Sequence, residues 1–406
     1  MKKIISVSLA LILAMSSLAI GASAGKKADL KFDENGEFKI MHICDCQDGY
    51  PASEIMLKYL DLVIKDEKPD IIVLGGDNTI CGYSQEELAG KSADEQHEMI
   101  AELKENAIQQ LVDVFVANNT PFTLVFGNHD HQQGLENDEL LALYQKCGGK
   151  YCLAYDADPS LTGSGTHFLT VFGSDGSYIP KFNLYMFDSG DTAYDENGKD
   201  MGYDSVHADQ VEWYKSVRDE LKEEAGNYVP SVAFQHIIVN EVYDKLFFEN
   251  PLIGIREFNG VNYTFFPKTN NFTGHLLEMP CPGYYNYGQF KAMNEKGDVA
   301  AMFFGHDHTN SFDCEIEGMR IINTPSPTHH SYSSDLNSGC RIIKVKESNP
   351  SEFETYLHTE NQVAVDHADF AEILGRPAIV AKLLMIVDKV LLALSKFSGL
   401  FIFFVK

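Results

Sequence analysis

This sequence is short of positive charge. Its 406 residues carry 32 lysines and arginines against 59 aspartates and glutamates, a net charge of −27. That deficit excludes a nucleic-acid backbone as an expected partner, because displacing its counterions takes a basic surface. The same acidic field concentrates divalent cations around the chain. Low-complexity tracts and internal repeats are absent, and no linker divides residues 36 to 360. With 44% hydrophobic and 11% aromatic residues, the composition is that of a folded chain able to bury a full core. The eight cysteines are an even number, and Cys147 and Cys152 are close enough to bridge a Gly-Gly turn. The spacing dictates no pairing, and no disulfide is assigned.

The two ends differ from the middle. Met1-Lys2-Lys3, an apolar stretch from Ile4 to Ile20 and the small residues Ala22-Ser23-Ala24 form a signal-peptide pattern over residues 1–24. The expected location is therefore extracytoplasmic, either secreted or associated with the cell surface or membrane. No cysteine closes the apolar stretch, so a lipid-anchored form is not indicated. At the other end, residues 361–406 read as an apolar, amphipathic helical extension. From Arg376 to Lys406 there are five basic residues and one acid, and Lys382, Lys389 and Lys396 recur every seven residues. Phe397 to Val405 has no charge, whereas Asp388 and Lys389 interrupt the run before it, which argues against a spanning helix. Contact of residues 376–406 with a membrane surface, and packing on the chain's own sheet or on a second subunit, both fit. The oligomeric state is not readable.

Between the ends, apolar strands alternate with polar loops and amphipathic helices. Phe38 to Asp45, Ile71 to Leu74 and Thr123 to Phe126 read as strands, with helices over Ser53 to Lys65 and Glu95 to Ala117. That order predicts parallel βαβ units, in which ligands gather at the carboxyl ends of the strands. Phe182 to Phe187, Ser231 to Phe234 and Ala300 to Phe304 are further strands. Glu317-Gly318 turns a hairpin, and Cys340 to Val345 and Phe353 to Leu357 are expected to extend the hairpin's sheet. From Asn240 to Phe290 periodicity gives way to an aromatic insertion, which suits a lid over a site or an aromatic side core.

Five strand ends carry metal-type side chains: Asp45-Cys46-Gln47, Gly76-Asp77-Asn78, Gly127-Asn128-His129-Asp130, His236, and Gly305-His306-Asp307-His308. Carboxylate, amide and imidazole together suit Mn, Fe, Zn or Ni. In an extended chain residues two apart share a side, which would pair Asp45 with Gln47 and His306 with His308. Gly76 and Gly305 would let the backbone turn tightly beneath the ions.

In order and spelling these segments resemble the calcineurin-like metallophosphoesterase superfamily, and most closely its purple-acid-phosphatase-like branch. The resemblance covers about residues 36 to 345, including Asp188-Ser189-Gly190 and Gln210 to Tyr214. It implies a four-layer α/β/β/α sandwich over residues 36–360, holding two divalent or trivalent metal ions. Asp77 would bridge them, Asp45, Gln47 and His308 completing one shell and Asn128, His236 and His306 the other. His129 would bind the phosphoryl oxygen or protonate the leaving group, with Asp130 or Asp307 orienting it. The implied reaction is hydrolysis of a small phosphomonoester or phosphodiester by a hydroxide bridging the ions. Two departures stand out. Gln47 replaces the usual histidine of the first motif, and Ile80 stands where coloured ferric enzymes of this branch place a tyrosine, so a colourless protein is expected. A non-catalytic surface-binding protein on the same scaffold is the competing reading.

Overall fold

The computed structural model describes residues 29–132, 134–250, 256–268 and 272–398. The signal-peptide pattern, and Gly399 to Val405 of the uncharged tail, lie outside the described residues.

Strand β1 (Glu37–Ile43), helix α1 (Glu54–Glu67), strand β2 (Ile71–Gly75), helix α2 (Ala93–Ala117) and strand β3 (Phe122–Val125) form two successive crossovers. Ser53 caps α1, and Ser92 with Glu95 closes a capping box on α2. The three strands pair in parallel. Side chains of β1 alternate between two covered faces, Met41 and Ile43 beneath the helices and Ile40 between the sheets. Two buried faces are why these strands read as unbroken apolar runs.

The second sheet contains β4 (His167–Phe172), β5 (Pro180–Met186), β6 (Ser231–Phe234), β7 (Val299–Phe304), β8 (Asp313–Ile316) and β9 (Met319–Asn323). Its order is Leu30–Lys31, β4, β5, β6, β7, β9, β8 and Phe272–Thr273, with β5, β6, β7 and β9 parallel. Helix α3 (Ala208–Ala225) covers its outer face, packing Tyr214 and Val217 with Tyr185 and Ala233. Ile40, Val73, Leu184, Phe234 and Phe303 fill the space between the sheets, completing four layers: helix, sheet, sheet, helix.

The expected place of the last two strands is corrected. β10 (Gly339–Lys346) runs antiparallel beside β1, and β11 (Glu354–Thr359) pairs outside β10, so both belong to the first sheet and not to the hairpin's. The cause is burial. β10 carries apolar residues on both faces, Cys340 and Ile342 on one and Ile343 and Val345 on the other. The open edge of β1 covers both faces, whereas Phe272–Thr273 already closes the sheet beyond β8.

Within the aromatic insertion, Phe247–Glu249, Val261–Pro267 and Arg256–Phe258 make a small sheet. Tyr243, Phe247 and Tyr263 are buried in the outer cluster of the second sheet, so this part is side core. All eight cysteines are free thiols, Cys147 and Cys152 included. After β11, helix α4 (Glu360–Asp366) leads to helix α5 (Ala378–Ser398), which packs against α4. His275 Nε2 lies 2.5 Å from Asp388 Oδ1 and ties α5 to the sandwich.

Candidate metal centre

The carboxyl ends of both sheets open onto one place. Asp45 and Gln47 follow β1, Asp77 follows β2, Asn128 and His129 follow β3, His236 follows β6, and His306 and His308 follow β7. Strand alternation is not what gathers them. Asp45, Gln47, Asp77 and His306 have φ of 54°, 41°, 51° and 68°, so each sits in a left-handed kink instead of an extended chain. Eight described residues other than glycine have positive φ, and half are candidate ligands. Such kinks cost about 1–3 kcal/mol each and persist where surrounding bonds enforce them. Here Asp45 N donates to Gly76 O at 3.0 Å, and Gln47 N donates to Asp77 O at 2.8 Å.

Asp77, His236 and His306 bring ligand-type atoms within 4.8 Å of one another. His236 Nε2 lies 3.2 Å from Asp77 Oδ2 and 3.7 Å from Asp45 Oδ1, and His308 Nε2 lies 3.5 Å from Asp45 Oδ1. The outer ring nitrogens are occupied. His236 Nδ1 donates to Gly75 O at 2.9 Å and His308 Nδ1 to Tyr332 O at 2.8 Å, which turns each Nε2 inward. Tyr332 stacks on His308, and Tyr203 sets the edge of its ring against His306.

The chemistry of this pocket fits metal ions. Asp45 Oδ1 and Asn128 Oδ1 are buried with no hydrogen-bond partner, a state that buried polar atoms rarely keep, and the buried His236 Nε2 faces the carboxylates of Asp77 and Asp45. Burial alone would lower the pKa of His236, but Asp77 and Asp45 outweigh it and raise it to about 10, so the local field calls for positive charge. Burial pushes His306 down to about 3, which keeps its imidazole neutral as a ligand must be. Burial lifts Asp45 to about 6 against the pull of His308 and His236.

The remaining expected residues divide. Gln47 Nε2 donates to Asp77 Oδ2 at 3.1 Å, so its amide presents a donor to the carboxylate expected to bridge the ions. His129 N donates to Asp77 Oδ1 at 2.8 Å, while its ring Nδ1 meets Gln132 Oε1 at 2.7 Å. The His129 ring is thus bonded to Gln132 and to neither of the expected carboxylates. Asp130 instead braces the loops: Oδ2 accepts from Asp77 N at 2.8 Å and Gly127 N at 2.9 Å, Oδ1 from Asn78 N at 2.8 Å and Thr79 N at 3.3 Å. Asp307 Oδ1 accepts from Cys281 N at 3.1 Å. Gly76 does adopt a left-handed φ of 92°, but Gly305 is there for space, since a Cβ would come within 2.8 Å of Asp45 Oδ2. His131, His329 and His330 pair with Asp191, Glu360 and Asp48.

Sequence reasoning passed over Lys104. Fully buried, its Nζ donates to Thr79 O and Asp130 O at 3.0 Å each, tying by their carbonyls the loops that Asp130 ties by their amides. The available signal was a lysine on the apolar stripe of α2, midway between Ile100 and Ile108. Gln132 gave no comparable signal.

A four-layer sandwich with carboxylates, amides and imidazoles converging from facing strand ends defines a metallophosphoesterase. The chain belongs to the calcineurin-like phosphoesterase family, whose model matches residues 38–310. It is 26% identical over 359 residues to "Probable inactive purple acid phosphatase 14" of Arabidopsis thaliana, covering 81% of this chain and 80% of that protein. "Probable inactive purple acid phosphatase 29" of the same plant is 25% identical, over 76% of this chain and 77% of that protein. "Phosphatase DCR2" of Saccharomyces cerevisiae is also 25% identical, over 70% of this chain and 46% of its own. Among solved structures, a dimetal phosphatase from Danio rerio aligns over 79% of this chain and 99% of its own, at 13% identity and a TM-score of 0.45.

Proposed function

We propose that this chain is an active, exported two-metal hydrolase of small phosphomonoesters or phosphodiesters. The observation that carries the reading is the convergence of buried Asp45, Asn128 and His236 side chains, the two oxygens Asp45 Oδ1 and Asn128 Oδ1 without a hydrogen-bond partner, beside a histidine held in place for proton transfer. In this reading Asp77 would be shared by the two ions, Asp45, Gln47 and His308 would hold one, and Asn128, His236 and His306 would hold the other. Mn, Fe, Zn and Ni match these donors. Bound ions supply charge for the phosphoryl oxygens and activation of the attacking water.

The chain's own residues supply position and protons. His129 is tethered twice, by its amide to Asp77 and by Nδ1 to Gln132. Gln132 Oε1 accepts from Nδ1–H, which leaves Nε2 to carry the proton that bonds a phosphoryl oxygen or passes to the departing alkoxide. Such a group contributes roughly 10²–10⁴-fold in rate. Export rests on the residue 1–24 pattern. A secreted product whose intact mass begins at Gly25 supports it, and retention of Met1 overturns it.

A second reading, a surface-binding protein without turnover, is favoured by one observation. Gln47 faces Asp77 as a donor, where an imidazole ligand would have left that carboxylate to the metal. The two Arabidopsis relatives, both named as probable inactive phosphatases, point the same way. Hydrolysis of p-nitrophenyl phosphate and of its bis-ester, with each metal in turn, separates the two. Metal-dependent turnover lost in Asp77→Asn and His129→Ala supports the hydrolase. A folded, metal-loaded protein silent on both esters overturns it.

A further inference from the structure

The inward face of α5 is set by Ala381, which is fully buried, and by Asp388, whose carboxylate meets His275. That docking leaves a continuous apolar stripe pointing outward. Ile379, Leu383, Ile386 and Val390 are 75%, 60%, 58% and 51% exposed, and recur at intervals of four, three and four residues. Val380 and Val387 widen the stripe by one side chain. By helical spacing, Lys382 and Lys389 run along one edge of it, both exposed. No described helix is long and apolar enough to cross a membrane.

We propose that α5 is an interfacial anchor that lays the domain on an anionic lipid surface. Charge selects this occupant. Residues 376–406 carry +4, while the whole chain carries −27, so the body without this segment carries −31. The net charge of the body has the sign of an anionic bilayer, and the net charge of this segment has the opposite sign. A helix is about 10 Å across, close to the Debye length of about 8 Å at physiological salt, so lipid against the outer stripe is largely screened from the body. Apolar side chains flanked by lysines at one edge are the arrangement that sinks into the headgroup boundary. A second copy of the chain is disfavoured as occupant, because a symmetric helix pair would set the lysines of both copies and two acidic bodies side by side.

The test is co-sedimentation of residues 25–406 with vesicles of phosphatidylcholine alone and with added phosphatidylglycerol. Binding is expected only with the anionic lipid and weaker at high salt, since each lysine near the surface contributes about a fivefold gain in partitioning. Lys382→Glu/Lys389→Glu and, separately, Leu383→Glu/Ile386→Glu should each cut it at least roughly tenfold. All four side chains face solvent, so the thermal midpoint should not move, and light scattering reports mass in parallel. Binding that survives both double variants overturns the anchor. So does a dimer that Leu383→Glu/Ile386→Glu dissolves while no vesicle is bound, which would make the stripe an interface between copies.

Discussion

Asp130→Asn changes one atom at the point where two loops that carry candidate ligands meet. The carboxylate accepts four backbone N–H bonds, from Asp77, Asn78, Thr79 and Gly127. An asparagine keeps the pair on one oxygen and turns an NH2 group toward the other two donors. Bonds to a charged acceptor contribute about 1.5–3 kcal/mol each, so two lost bonds amount to roughly 3–6 kcal/mol. The side chain is buried, and burial together with nearby Asp77 raises its pKa, so a neutral amide recovers part of that loss. The net is expected at about 2–4 kcal/mol, on the order of 5 °C in the thermal midpoint of a chain this size. Because Asp77 and Asn128 ride on the braced loops, metal content should fall together with stability. Thermal and urea unfolding in chelator isolate the brace, and elemental analysis after reloading reads the ligands. A variant that melts within about 1 °C of the parent and rebinds a full complement of metal would refute the brace.

Gln47→His exchanges a weak amide donor for imidazole and frees Asp77 Oδ2 from its hydrogen bond. Affinity at the looser of two metal steps should rise roughly tenfold or more, read by competition with a chelating dye; unchanged affinity would place residue 47 outside the ligand set. Gly305→Ala sets a methyl group within 2.8 Å of Asp45 Oδ2 and Cys44 Cβ, both in a packed interior. It should destabilise by about 1–3 kcal/mol and lower metal content, measured by unfolding and elemental analysis. Glu67 gives a pH test away from the metal. Burial would raise its carboxyl, but bonds from His358 Nδ1 at 2.9 Å, Tyr356 Oη at 2.8 Å and Lys39 Nζ at 3.3 Å outweigh it and bring it down to about 2. A folded pKa below the unfolded one gives stability that is full above about pH 4.5 and lost as pH falls toward 2. Glu67→Gln should be less stable than the parent at neutral pH, and the gap should close between pH 4.5 and 2; a constant gap would contradict the assignment.

The site was more legible in the sequence than the way it is assembled. Metal-type residues stood at the ends of apolar strands, and the structure brings those strand ends together, because a strand buried on both faces writes an unbroken apolar run. Periodicity, however, reports side-chain direction only while the backbone is regular. At Asp45, Gln47, Asp77 and His306 the backbone turns left-handed, so the two-residue rule does not hold there. Lys104 was hidden because a buried lysine breaks the pattern by which cores are read, and its partners are carbonyl oxygens, which no residue letter records. The sheet membership of β10 was hidden too. Two antiparallel homes were open to it, and the choice depends on which edge is already closed.

That same strand sets an order of events during synthesis. Arg341 pairs with His42, so the interior edge of β1 waits about 300 residues for its neighbour. At roughly 5–20 residues per second, translation leaves that edge bare for on the order of 15–60 s. A chain in that condition is a template for any other strand in reach. A protein built this way is best kept from folding until its last third has been made.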